Sequence, residues 1–159
     1  MPIKQRITPF LWFDGQAEEA ANHYVAIFKN SRITAISRYG DAGPGAKGSV
    51  MTVAFELDGQ AFTGLNGGPM FKFNEAISLM VSCESQAEVD LYWDKLCEGG
   101  KPGKCGWLKD KFGVSWQIVP TVLPELMTAK DAAKSQRVMA ALLQMTKLDI
   151  GRLKQAAEA

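Results

Sequence analysis

The spacing of hydrophobic residues changes period along the chain, and each change predicts a new element. Residues 7–13 are almost wholly apolar and end at Asp14-Gly15, which predicts a first strand, Ile7–Phe13. In Gln16–Lys29 apolar residues recur three or four positions apart, which predicts a helix. A glycine-rich loop, Gly40–Gly48, and an Asp-Gly hairpin signal separate the next three strands, which we predict at Arg32–Tyr39, Ser49–Leu57 and Gln60–Asn66.

The same order of elements starts again after the linker Gly67–Asn74. Ser85 is placed to cap the second helix, because Glu88 follows it at the spacing of a capping box. A Gly/Pro break at Glu98–Gly103 interrupts the second half. The predicted elements of this half are a strand at Ala76–Cys83, a helix at Ser85–Cys97, an edge strand at Lys104–Lys109 and a closing strand, Val114–Val119, stopped by Pro120. The middle strands of this half are expected to be compressed relative to those of the first.

The two halves also match residue by residue in their last strands. When Gly59 is laid on Gly113, Phe62 falls on Trp116, Thr63 on Gln117 and Leu65 on Val119. The chain is therefore predicted to contain one strand-helix-strand-strand-strand module twice, which is an α+β fold. We expect a single domain, with module one at residues 7–66, module two at residues 76–120 and a helical tail at residues 121–159.

The tail has no counterpart in either module. Asp131 is placed to cap one helix and Asp149 to cap a shorter one. The first of these helices carries Val138, Met139, Leu142 and Met145 on one side. This apolar side must be buried, either across the sheet of its own chain or against a partner chain.

Alternation along the strands divides each predicted sheet into two faces. One face is wholly apolar and is expected to lie under the helices; its members are Ile7, Leu11, Phe13, Phe62, Ile77, Leu79, Val81, Trp116 and Ile118. The other face mixes hydroxyl, amide and bulky apolar groups, which is typical of a small-molecule cavity, with a merely solvated face as the alternative. The candidate cavity residues are Thr8, Phe10, Trp12, Thr63, Leu65, Ser78, Met80 and Gln117.

Composition and charge exclude several kinds of partner. The 159 residues are 47% hydrophobic and 22% charged, with a net charge of +1 and no basic run, so we expect no nucleic-acid partner. No apolar run approaches about 20 residues, so we expect no membrane span. The N-terminal MPIKQRITPF lacks the apolar core of a signal peptide, which predicts a cytoplasmic protein. The three cysteines form no C-x-x-C pair and are expected to be free thiols.

Four segments together resemble a known family. They are ITPFLWFDGQAEEAANHYVAIFKNSRI, LNGGPMFKFNEAISLMVSC, FGVSWQIVP and SQRVMAALLQMTKLDI. They look like the PhnB-like (3-demethylubiquinone-9 3-methyltransferase-like) proteins of the vicinal oxygen chelate superfamily, which includes glyoxalases, bleomycin resistance proteins and dioxygenases. The resemblance runs from about Ile7 to Ile150. It implies paired βαβββ modules, each curling a sheet around a cavity, and a homodimer.

The resemblance also implies where a metal would bind. In metal-dependent members, His, Glu or Gln on the first and last strands of each module hold a divalent ion that polarises a substrate oxygen. These positions fall on Thr8, Thr63, Ser78 and Gln117. Three of the four are hydroxyls, which bind zinc or iron poorly, and only Gln117 matches in type. We therefore expect no metal and no other cofactor.

Gly43–Gly48 fits the pattern G-x-G-x-x-G but lacks its usual setting. A nucleotide-binding loop needs a helix after it, and here a predicted strand follows. We interpret the segment as a mobile hairpin loop that could act as a lid. Because no helix is predicted after the glycine-rich segment, the sequence also argues against S-adenosylmethionine binding and against the methyltransferase label.

Four polar residues have competing interpretations. His23 lies on the first helix without a nucleophile nearby, which favours a surface or partly buried histidine over catalysis. Glu56 is either a general base or part of a solvated strand end. Asn66 and Asn74 flank the linker and either form turns or bind a ligand.

The leading functional hypothesis is a metal-free protein that binds a small, partly apolar molecule. The alternative is a metal-dependent lyase, isomerase or dioxygenase of the same superfamily, so the sequence leaves open whether the chain is an enzyme. A third hypothesis is a purely structural dimer formed through the helical tail.

Overall fold

The computed structural model describes residues 2–128 and 130–159, which form two compact units, one ending at Phe73 and the other beginning at Asn74. Each unit has a four-stranded sheet and the order βαβββ, which confirms the predicted duplication. The first unit consists of β1 (Phe10–Phe13), α1 (Ala17–Ile27), β2 (Arg32–Arg38), β3 (Val50–Leu57) and β4 (Gln60–Asn66). The second begins with β5 (Leu79–Cys83), α2 (Gln86–Cys97), β6 (Lys101–Pro102), β7 (Trp107–Lys109) and β8 (Ser115–Pro120).

The two sheets have the same topology. Their strand orders are β1-β4-β3-β2 and β5-β8-β7-β6, with the first and last strands of each module parallel and the other neighbours antiparallel. The overlay of the closing strands agrees with the register. Thr63 is the Cα partner of Phe10 in one sheet, and Gln117 is the Cα partner of Met80 in the other. Phe10 and Met80 are therefore equivalent positions.

The first unit buries one face of its sheet under α1. Ala17, Ala20 and Tyr24 of the helix are fully buried, and the Tyr24 ring lies 6.3 Å from the ring of Phe55 in β3. Leu11 and Phe13 of β1 are on the same buried face, as predicted. Burial of side chains of this size stabilises a fold by about 1.5–3 kcal/mol each, so this face anchors the sheet.

β1 begins three residues later than predicted, and Gln5 explains why. The register of β1 and β4 would bring Thr8 opposite Ala61, but the Gln5 side chain bonds to both backbone groups of Ala61 instead. Its Nε2 donates to Ala61 O and its Oε1 accepts from Ala61 N, both at 3.0 Å. Ile7 is consequently 83% exposed, and the prediction that it lies under a helix was wrong.

β5 is also shorter than predicted, because residues 74–77 form a turn. The Asn74 Oδ1 atom accepts a hydrogen bond from Ala76 N at 2.8 Å, which confirms the interpretation of Asn74 as a turn residue. Ile77 is 75% exposed, so its predicted place under α2 was wrong.

The middle strands of the second unit are compressed, as predicted, but their bounds differ. The predicted edge strand, Lys104–Lys109, corresponds to β7, which lies between β8 and β6 and is therefore not at the edge. Cys105 and Gly106 have positive φ angles of 58° and 83°, and their N–H groups bond to Met145 O and Thr146 O at 2.8 Å. Both residues are therefore held by the tail, and β7 begins only at Trp107. β6 lies inside the segment that was predicted to be a break.

The tail forms α3 (Val122–Met127), α4 (Ala132–Leu143) and α5 (Ile150–Glu158). Asp131 and Asp149 cap α4 and α5, as predicted. The tail has a small core of its own, made of Val138, Met145, Leu148, Leu153 and Ala157. It is fastened to α2, since Gln86 donates to Leu148 O at 3.0 Å and accepts from Ile150 N at 2.8 Å. The tail thus packs on its own chain.

Cys83, Cys97 and Cys105 are free thiols in this structure. Within residues 2–128 and 130–159, no helix has the length and hydropathy that a membrane span requires.

Candidate functional site

The open face of the first sheet carries most of the predicted cavity residues of that module. β1 and β4 run parallel, with Phe10 opposite Thr63 and Trp12 opposite Leu65. Phe10 is 61% exposed, whereas Thr63 and Leu65 are half-buried. The structure therefore brings four of the predicted residues together in two adjacent rows.

Thr8 is not on the strand with the other predicted residues. It is exposed and precedes β1, and the ladder begins instead with the bond from Thr63 N to Pro9 O at 3.0 Å. Its predicted strand position was wrong because Gln5 occupies the pairing site at Ala61.

Trp12 lies on the open face but is held by the linker. Its indole Nε1 donates to Gly68 O at 2.9 Å, and the Phe71 ring meets the indole edge-on at 4.9 Å between centroids. A side chain at Gly67 would overlap the indole ring. Trp12 therefore packs beneath residues 67–71, which leaves Phe10 as the freer aromatic group of this face.

The second sheet repeats the arrangement with different side chains. Met80 is 58% exposed and is the Cα partner of Gln117, just as exposed Phe10 is the partner of Thr63. Gln117 donates a hydrogen bond of 2.8 Å from Nε2 to the Oγ of Ser78. This bond leaves the amide oxygen of Gln117 as an acceptor and fixes the direction of the amide plane.

These residues do not fit a divalent metal. Ser78 Oγ accepts the amide hydrogen of Gln117, so the one side chain of suitable type is engaged with a hydroxyl neighbour. Hydroxyl oxygens are weak ligands for zinc and iron. Within the part of the chain that the structure describes, no group of three or more His, Cys, Asp or Glu could hold an ion. The side chains on this face offer hydrogen-bonding groups and apolar contact surface.

A cavity of about 360 Å³ in the first unit was not predicted from the sequence. Its walls come from the start of α1, the β2–β3 loop and the end of β4, and include Asp14, Glu18, Tyr39, Gly45 and Asn66. The Tyr39 hydroxyl donates to Asn66 O at 2.5 Å. The glycine-rich loop therefore forms one wall of this cavity. The sequence did not predict the cavity because the hydrogen bond between Tyr39 and Asn66 leaves no signal in the local pattern.

The glycine-rich loop leads into β3 and not into a helix, as predicted. Gly43 and Gly45 lie so close to the ring of Tyr39 that a side chain at either would collide with it. Gly48 N and Tyr39 O close the loop with a hydrogen bond of 2.8 Å. The two glycines thus let the loop lie against the tyrosine.

The other polar candidates have structural partners. His23 is half-buried on α1, with its ring 5.8 Å from that of Tyr24. Glu56 forms an ion pair with Arg32 at 3.3 Å, which supports its interpretation as a solvated strand end. Asn66 uses both ends of its amide, accepting from Ala17 N at 2.8 Å and donating to Val50 O at 3.1 Å. Its role in the structure is to join elements.

A sequence model described as 3-demethylubiquinone-9 3-methyltransferase matches residues 5–119. The chain belongs to this family. A PhnB protein from Bacillus cereus is 41% identical, over 74% of this chain and 100% of that one, with a TM-score of 0.68. A search of the curated proteins found no match. The family match ends before the helical tail, so the predicted likeness of residues 121–150 stays a prediction.

More distant solved structures show the fold alone. Protein PA1353 from Pseudomonas aeruginosa is 22% identical, over 74% of this chain and 98% of that one, with a TM-score of 0.61. The fosfomycin resistance protein FosX from Listeria monocytogenes, solved with Mn(II) and sulfate, is 14% identical, over 79% and 97%, with a TM-score of 0.53. The fold is that of the glyoxalase/bleomycin resistance/dioxygenase superfamily.

Proposed function

We propose that this protein binds a small, partly apolar molecule through the open faces of its sheets, without a metal. One observation carries the proposal. At equivalent positions of the two modules, a large exposed apolar side chain lies beside a half-buried polar one, Phe10 beside Thr63 and Met80 beside Gln117. Single exposed apolar residues are ordinary on protein surfaces, but this pairing recurs at the same register.

The chemistry of these faces supports binding more than catalysis. Gln117, fixed by Ser78, can accept a hydrogen bond from a ligand, and Met80 supplies a flexible apolar contact. Neither amide nor hydroxyl groups serve as a general base near neutral pH without an activating partner. The family description names a methyltransferase, but the glycine-rich loop leads into β3, so it provides no helix N-terminus for a nucleotide-containing donor.

A thermal-shift screen against a metabolite panel, followed by calorimetry on the compounds that stabilise the protein, tests the proposal. Phe10→Ala and Met80→Ala should each weaken binding about tenfold, because each removes an apolar contact worth about 1–2 kcal/mol. Leu143→Ala is the matched control, since Leu143 is 56% exposed but lies on α4. Binding that is unchanged in both sheet variants would overturn the assignment.

A second measurement distinguishes the metal-dependent enzyme from the metal-free binding protein. The FosX relative was solved with Mn(II), which makes manganese, nickel, zinc and iron the ions to test. Metal analysis of the purified protein should show no stoichiometric divalent ion. Metal-dependent turnover of glyoxal adducts or catechols would replace the binding proposal by a lyase, isomerase or dioxygenase.

We also propose that the protein forms a homodimer in the cytoplasm. Support for the dimer comes from the family resemblance and from exposed apolar groups on the linker, where Met70 is 77% exposed. Support for the location comes from the three free thiols, which a reducing compartment preserves. Light scattering should give twice the mass of one chain, and a monomer mass at every concentration would contradict the dimer. Cell fractionation tests the location.

A further inference from the structure

A second pocket, of about 270 Å³, lies entirely within the second unit and shares no lining residue with the predicted cavity set. Its walls include Glu75, Lys101, Pro102, Trp107, Lys109 and Ser115. Two of these residues belong to the two-residue strand β6, which the sequence pattern did not predict. The pocket is large enough for a compact organic molecule of about ten non-hydrogen atoms, at the small end of known ligand sites.

Three hydrogen-bond donors stand in one row across this pocket. Lys101 is the Cα partner of Lys109 across β6 and β7, and Lys109 is the partner of Ser115 across β7 and β8. Residues in register across neighbouring strands project to the same face of the sheet. The row therefore presents two ammonium groups and one hydroxyl to the same side, where all three residues line the pocket.

The charges of this row are incompletely balanced. Like charges directly opposite each other on neighbouring strands repel, which makes the Lys101–Lys109 pairing unfavourable by itself. Glu75 forms an ion pair with Lys109, and the hydrogen bond from Lys109 lowers the pKa of the Glu75 carboxyl, which keeps it negative at neutral pH. Two lysines face one carboxylate among the lining residues, so the pocket has a net charge of +1.

Ser115 gives an independent indication of a ligand. It is only 2% exposed, and its Oγ atom has no hydrogen-bond partner among the residues that the structure describes. A buried hydroxyl without a partner is unfavourable, and such groups in folded proteins usually call for an explanation. A ligand oxygen in the pocket that lies against Ser115 would supply the missing acceptor.

The remaining wall is apolar. Trp107 is half-buried, and both it and Pro102 line the pocket, so a flat hydrocarbon group has apolar surface to pack on. We propose that this pocket binds a small organic carboxylate, whose oxygens lie against Lys101, Lys109 and Ser115 and whose apolar part packs on Trp107 and Pro102. The inference rests on residues of the second unit alone and holds whether or not Phe10 and Met80 contact a ligand.

Titration calorimetry with benzoate and with its neutral counterpart benzamide tests the proposal. Benzoate should bind with a Kd of about 1 mM or lower and at least about tenfold more tightly than benzamide, because only the anion is attracted by the two lysines. Its affinity should fall as salt is added. Equal affinities for the two compounds, or no benzoate binding, would overturn the proposal.

Three variants assign the binding to this row. Lys101→Met should weaken benzoate binding about fivefold to tenfold, whereas Glu75→Gln should strengthen it, because the first removes a positive charge and the second removes the competing carboxylate. Ser115→Ala should weaken it about tenfold without lowering Tm, since the lost hydroxyl has no partner in the free protein. Lys154→Met, on α5, is the charge control and should leave benzoate binding unchanged.

Two results would contradict the assignment. The first is a change of the same sign in Lys101→Met and Glu75→Gln, which would show a structural effect instead of a charge effect. The second is loss of benzoate binding in Met80→Ala with full binding in Lys101→Met, which would move the anion to the predicted cavity residues. We expect Met80→Ala and Phe10→Ala to leave benzoate binding unchanged. A failure of this proposal can therefore be distinguished from a failure of the proposed function.

Discussion

The Oδ1 atom of Asn66 accepts a hydrogen bond of 2.8 Å from the backbone N–H of Ala17, the first residue of α1. Gln16, at the N-cap position, makes no side-chain capping bond. Asn66, 49 positions after Ala17, supplies a side-chain acceptor at the start of the helix instead. The other end of the amide donates to Val50 O at 3.1 Å, at the start of β3. One side chain thus joins α1, β3 and β4.

Asn66→Ala should lower the free energy of unfolding by about 1–2 kcal/mol, the usual cost of losing a helix cap together with a second backbone partner. Urea denaturation measures the change. Asn74→Ala is the matched control, because Asn74 makes one exposed bond to Ala76, two residues away. We expect a loss of at most about 0.5 kcal/mol there. Equal losses in the two variants would show that Asn66 does not join the elements.

Gly67→Ala should destabilise the first unit through Trp12. A methyl group at Gly67 would overlap the indole ring, which cannot move freely because it donates to Gly68 O and contacts Phe71. Forced overpacking of this kind costs about 1–3 kcal/mol. Gly40→Ala is the control, since a Cβ at Gly40 meets nothing within 4 Å and the residue has no positive φ. Denaturation curves and near-ultraviolet circular dichroism of the two variants distinguish them.

Hydrophobic period and turn chemistry were enough to predict the order of the elements apart from β6 and α3, because α1, α2 and the longer antiparallel strands have strong local patterns. The same patterns placed the caps of α4 and α5 at Asp131 and Asp149. The starts of β1 and β5 were missed for a different reason. Gln5 and Asn74 replace strand pairing with side-chain bonds, and an apolar residue such as Ile7 gives no sign of that competition.

The second pocket was missed because its row of donors depends on register. β6 has only two residues, too few for alternation to be visible, and one of them is a proline. The pairing of Lys101 with Lys109 comes from the turn at Gly103, whose N–H bonds to Trp107 O at 2.8 Å. An ordinary lysine in a Gly/Pro-rich segment gives no local signal that another lysine lies opposite.

Cys83 should make stability fall at alkaline pH. Burial, with a smaller contribution from the charge of Glu88, raises the pKa of its thiol to about 12, from an ordinary value of 9.0. As the pH rises from 9.0 toward about 12, the unfolded chain loses the Cys83 thiol proton while the folded chain keeps it. The unfolded state is therefore stabilised relative to the folded state. The stability that the Cys83 thiol contributes is fully present below pH 9.0 and is lost as the pH rises toward about 12.

The test compares pH profiles of the free energy of unfolding, since lysines and tyrosines titrate in the same range. Cys83→Ala should flatten the alkaline fall relative to the unchanged chain, whereas Cys105→Ala, at a half-buried cysteine, controls for removal of a thiol. A thiol reagent at pH 8 should leave Cys83 unmodified in the folded protein and label it in denaturant. Rapid labelling of Cys83 in the folded protein would contradict the raised pKa.

Asp110 should be the most sensitive acidic residue of the second unit. It is 3% exposed, and its carboxylate accepts several hydrogen bonds, among them those from Phe112 N at 2.9 Å and Val114 N at 3.0 Å to Oδ1, and from Trp116 Nε1 at 2.8 Å to Oδ2. Asp110→Ala leaves all three donors without this acceptor and should cost about 3 kcal/mol. Asp131→Ala, at an exposed helix cap, should cost about 1 kcal/mol.

A double-mutant cycle isolates the bond to the indole. Asp110→Asn keeps Oδ1 for the two backbone groups but turns an NH₂ group toward Trp116 Nε1–H, so two donors face each other. Trp116→Phe removes the indole N–H, and the combined variant therefore loses the conflict. We expect it to be more stable than the sum of the single changes by about 1 kcal/mol, measured by urea denaturation. Strict additivity would show that the bond from Trp116 Nε1 to Asp110 contributes no coupling energy.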